Sequence, residues 1–67
     1  MSSLGEDLPR VIAHVRDVVM PRYVEIGLGG RFALARMRAD LDAAAKAMIE
    51  GDVVEMLRVY QSLKEFE

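Results

Sequence analysis

Sixty-seven residues with no cysteine and a single histidine, His14, exclude a disulfide framework and leave almost nothing for a structural metal site. A chain this short buries only about 60% of the surface its unfolded form exposes. Yet 52% of its residues are hydrophobic and 30% are charged, which excludes disorder and points to more apolar surface than one small core can hide.

The net charge of −2 is unevenly divided: residues 1–38 carry six arginines against four acids, and residues 39–67 carry seven acids against three bases. Such a dipolar chain can pair head to tail or across a two-fold axis. It lacks the strongly basic surface that sequence-independent nucleic-acid binding needs.

In chain order, Asp7 offers a cap for a first helix, with Leu8 and Pro9 in its first turn. Leu8, Val11, Ile12, Val15, Val18 and Val19 recur at steps of three and four, leaving Arg10, His14 and Asp17 on the other face. This predicts an amphipathic helix over about 7–20. Pro21 then stops it near Met20, or kinks it and lets it run on to Ile26. Gly27-Leu28-Gly29-Gly30 is the clear break before a second helix over about 31–50, where Leu34, Met37, Leu41, Ala44 and Met48 form a seam. Ala35, Ala39, Ala43 and Ala47 add a stripe that admits a close neighbour. Gly51 and Asp52 close this helix and open a third, over about 52–66.

The fold class expected is therefore all-α: three helices in one domain, with helices two and three as an antiparallel hairpin and a kinked N-terminal helix. Val54, Val59 and part of Tyr60 fall outside the main stripe of the third helix, so one neighbour does not cover it. A homo-oligomer follows as an expectation, with Leu34, Met37, Leu41, Val54, Leu57, Tyr60 and Leu63 at the oligomer or partner interface.

Material for chemistry is scarce. The chain has no cysteine nucleophile and no pair of histidines for a metal, and Ser2, Ser3 and Ser62 have no evident base. It reads as a non-enzyme with no catalytic residue, metal or cofactor. The one site-like element is the glycine loop entering a helix, where backbone amides attract an anion. There Gly29, Gly30 and Arg31, with Arg22, Arg36 and Tyr23, could hold a phosphorylated small molecule such as a nucleotide. No strand precedes the loop, so a phosphate-binding loop context is missing.

Size and composition are similar to those of many small accessory proteins of bacteria and their phages. The first functional expectation is a cytoplasmic helical oligomer that binds, and by binding inhibits, a partner protein. The alternative is an oligomer sequestering a nucleotide-like ligand. A DNA-binding regulator comes last, because the helix after Gly51 is acidic and apolar where a recognition helix is polar and basic. The N-terminus lacks the pattern of a secretory signal, and no apolar run has membrane-spanning length. No membrane partner is expected.

Overall fold

The computed structural model describes residues 3–67 and is helical over nearly all of them. The first element, α1, spans Leu4–His14. It starts three residues before the expected cap, because Ser3 adopts extended backbone and its hydroxyl accepts the amide of Glu6 at 3.3 Å. Ser3-Leu4-Gly5-Glu6 has the spacing of a capping box, and Glu6 and Asp7 supply the acidic first turn that favours this helix end. Asp7 is thus inside the helix, bonded to Arg10, and Pro9 lies in the helix interior rather than in its first turn.

A π-helical turn, Val15–Val19, follows and runs into α2, Met20–Ile26. Within it the amide of Met20 reaches back five residues to the carbonyl of Val15. The extra residue sits just before Pro21, which has no amide with which to continue the ladder. It also shifts the helix phase by about 100°, one residue of α-helix. The consequence is visible in what is buried. Leu8, Val11, Val15 and Val19 face the core, after which Met20 and Tyr23 are half-buried and Arg22 faces solvent. Without the shift, Arg22 would share the buried stripe. Val18, expected on that stripe, is more than a third exposed.

Gly27–Gly30 forms a 3-10 turn rather than a gap, so the chain is helical without interruption from Leu4 to Glu50. Among the described residues, the only non-helical link between Leu4 and Lys64 is Gly51-Asp52. The structure therefore has two continuous helical stretches, not three, the first bent back on itself at the glycines. Gly27 takes φ +80°, which L side chains rarely adopt, and Gly30 is buried directly against Tyr23. The elbow brings α2 against α3, Arg31–Glu50.

Gly51 closes α3 in the left-handed conformation, and the amide of Asp52 bonds to the carbonyl of Ala47 at 2.9 Å. The carboxylate of Asp52 then accepts the amide of Glu55 at 3.1 Å and opens α4, Val53–Lys64. Two residues reverse the chain, so α3 and α4 run antiparallel and pack along their length, with α1 laid against α4. One core joins them: Leu8, Val11, Val15 and Val19 meet Met37 and Ala44 of α3 and Val59 and Leu63 of α4.

Alanine scanning of the glycines tests the elbow. A Cβ on Gly30 would lie 2.6 Å from the carbonyl oxygen of Tyr23, whereas one on Gly29 meets only the tip of Ile26 at 3.4 Å. Gly30→Ala should lower stability by about 1–3 kcal/mol and Gly27→Ala by a similar amount from its positive φ, while Gly29→Ala stays within about 0.5 kcal/mol. Urea unfolding followed by circular dichroism reads all three; equal effects at 29 and 30 would refute the close approach.

Candidate functional site

The glycine loop is built as a structural corner. The amide of Gly27 bonds to Val24, and that of Arg31 to Leu28, so at least these two amides are already satisfied. Gly30 is covered by Tyr23, whose ring packs on the edge of the core. Arg36 is drawn away to α4: its guanidinium donates to Ser62 Oγ at 3.1 Å and Glu65 Oε2 at 3.2 Å, and lies 5.2 Å from the centre of the Phe66 ring. Arg31 rests 5.7 Å from the centre of its neighbour Phe32, and Arg22 is exposed. Of the six residues suggested for anion binding, Gly30 and Tyr23 meet, Arg36 is engaged elsewhere, and Arg22, Gly29 and Arg31 stand at the surface. Two surface clefts, of about 410 and 300 Å³, lie at other places.

The residues expected at an interface divide as well. Met37 and Leu63 are fully buried and Leu34 nearly so, all within this chain, because α4 and the N-terminal helical stretch already cover the seam of α3. They are core residues, a correction to their expected place between chains. Leu41 and Tyr60 are half-buried and pack on the same core. Only Val54 and Leu57 remain open to solvent.

Those two belong to a larger exposed group at the hairpin tip. Ile49 is 86% exposed and Val54 81%, with Met48, Val53 and Leu57 beside them in sequence. The second exposed group is at the elbow: Leu28 and Phe32 are 82% and 81% exposed, and Val24 and Ile26 are also open. Sequence periodicity missed the elbow group because Leu28 lies inside a glycine run and Phe32 stands off the seam of its helix. The usable signal was that neither fits the buried stripe of its helix.

Asp40 is the buried charged residue of the described chain, 6% exposed. It accepts the Ser62 hydroxyl at 2.5 Å, and Arg58 stands 3.8 Å away. Ser62 in turn accepts from Arg36, and Arg58 donates to Glu55 at 2.6 Å. The result is a polar chain tying α3 to α4: Arg36, Ser62, Asp40, Arg58, Glu55. Hydrogen bonding from Arg58 holds the Glu55 carboxyl below the usual carboxylate range. Since that value is depressed in the folded state, the contact contributes above the ordinary carboxylate range and is lost as the pH falls through the lowered value.

His14 borders the larger cleft with Arg10, Val11, Lys64 and Glu67. Its Nδ1 is 3.6 Å from Glu67 Oε2 and has no hydrogen-bond partner. Among the described residues no group of three or more His, Cys, Asp or Glu is placed to hold a metal ion, and no helix is long and apolar enough to cross a membrane. No protein-family model, curated protein or solved structure matches the chain.

The polar chain gives a direct test. Asp40→Ala strands the Ser62 hydroxyl and should cost about 1–3 kcal/mol, against less than about 0.5 kcal/mol for the exposed Asp42→Ala. Chemical denaturation of Asp40→Ala, Ser62→Ala and the double variant should give clearly non-additive losses; simple additivity would mean the two groups do not act together.

Proposed function

We propose that this chain is a non-enzymatic interaction protein that docks the apolar tip of its hairpin on another protein chain, most simply a copy of itself. The observation that carries the reading is the exposure of Ile49, Val53, Val54 and Leu57 beside a core that is complete without them. Scattered apolar residues are ordinary on a surface, but four exposed ones within nine residues at one end of a small domain are a usual mark of a binding face. The site is held by rigid elements, since Gly51 and Asp52 fix both helix ends by backbone and side-chain hydrogen bonds. A preorganised apolar face loses little entropy when it binds.

The surface is suited to binding rather than catalysis: in the cleft beside the half-buried His14, Arg10 is paired with Asp7 and Lys64 with Glu67, and the buried carboxylate of Asp40 is consumed in joining two helices. Inhibition of a larger protein is the natural action for so small a binder, by covering a surface the larger protein needs. The nucleotide-binding alternative has less behind it, because Arg36 and Gly30 serve the fold.

A photo-crosslinking residue at position 54, introduced in cells of the native source, should yield one discrete protein adduct, and the same residue at the exposed position 16 none. Leu57→Asp in the same chain should abolish the adduct while leaving the helical fold and its melting temperature nearly unchanged, since Leu57 is half open to solvent. A chain that stays uncrosslinked at position 54 would overturn the reading.

A further inference from the structure

The two exposed apolar groups differ in the charge around them. Residues 22–38, which contain the elbow, carry Arg22, Arg31, Arg36 and Arg38 against Glu25. Residues 42–57, which contain the tip, carry Asp42, Glu50, Asp52 and Glu55 against Lys46. With Glu65 held by Arg36 and Arg58 held by Glu55, each end keeps a net charge of two, positive at the elbow and negative at the tip. Among the described residues, Arg22, Arg31 and Arg38 at one end and Asp42, Glu50 and Asp52 at the other take part in no ion pair within the chain. At the tip, Glu50, Asp52 and Glu55 line a groove of about 300 Å³ together with Ala43, Ala47 and Lys46.

The two ends are separated by α3 itself. Its 20 residues span about 30 Å, and the molecule is 35 Å along its longest axis. One copy therefore has no means of covering its own tip with its own elbow. A second copy does. Apolar side chains would meet apolar side chains, while unpaired arginines met unpaired carboxylates at the rim, which is the arrangement that fixes orientation and discourages like-with-like contact.

We propose that the chain associates with itself head to tail, the acidic tip around Val54 seating on the arginine-rimmed elbow around Phe32 of the next copy. This rests on the reading of the tip as a docking face and names its occupant. A two-fold tip-to-tip dimer would bring two acidic rims together, and an elbow-to-elbow dimer two basic ones. The contact joins different surfaces, so it either closes into a ring or continues as an open chain of copies. Four or five side chains at each end form an interface below about 1,200 Å², so assembly depends on concentration. It also weakens as salt rises from about 0.05 to 0.5 M, where the screening length falls from roughly 14 to 4 Å.

Mixing two blocked variants tests the geometry. Phe32→Asp disables the elbow and Val54→Asp the tip; both side chains are about four-fifths exposed, so each variant should keep the wild-type circular dichroism and melting curve. In sedimentation at about 100 µM, the wild type should exceed the monomer mass and each variant alone should be monomeric. An equimolar mixture should form a one-to-one dimer that grows no further, because it joins the one good tip to the one good elbow.

If either variant alone keeps the wild-type mass, the contact is symmetric and the proposal fails. A mixture that stays monomeric overturns it too, as does a monomeric wild type at that concentration. Crosslinking at position 54 to a different protein would then leave the docking face standing and remove only self-association.

Discussion

Everything in this fold depends on an atom that is absent. Gly30 has no Cβ, and the carbonyl of Tyr23 lies where that atom would be. Only through this close approach does α2 turn back on α3 within a four-residue 3-10 turn. The bend decides which surfaces meet. It lets α1 reach α4, so that valines and leucine from the N-terminal stretch share one core with Met37, Val59 and Leu63. The same sharp corner thrusts Leu28 and Phe32 outward, since side chains on the convex side of a tight turn have nothing to pack on.

The opposite end is governed by a different economy. A two-residue reversal at Gly51 and Asp52 leaves α3 and α4 no choice but to lie antiparallel. Their seam is apolar at its centre and polar along one side, where Asp40 receives the Ser62 hydroxyl and faces Arg58. A buried carboxylate is costly unless paired, so this chain of contacts favours one register of the hairpin over neighbours that would leave Asp40 alone. The core and this register together complete the fold within a single chain, and the exposed apolar ends are surplus to it.

Much of this was legible in the sequence, and the reasons for the rest are physical. The hairpin could be read because Gly51 and Asp52 are local signals that act on their own neighbours. The inner stripes of α1 and α3 could be read in large part because burial repeats with the helix period, whereas that of α4 was misread: Val59, expected outside its stripe, is fully buried in the core. The start of α1 was misplaced because Asp7 and Ser3 are both good caps, and only Ser3 has Glu6 three residues on. The interface was misassigned at Met37 and Leu63 because periodicity says that a face is buried, not whether a neighbour in the same chain buries it. The loss of Arg36 from the anion site depended on Glu65, 29 residues away, a contact that no local pattern encodes.

The π turn at Val15–Val19 has a consequence for kinship. It amounts to an α-helix carrying one surplus residue, and the helix on each side keeps its own buried face: Leu8 and Val11 before it, Met20 and Tyr23 after it. Removing one exposed position from that turn, such as Arg16 or Asp17, would return an ordinary helix with both faces still aimed inward. Descent with a changed length at this point therefore leaves the fold intact. Ancestral or cousin sequences one residue shorter here would align only with a gap inside a helix, where gaps are least expected.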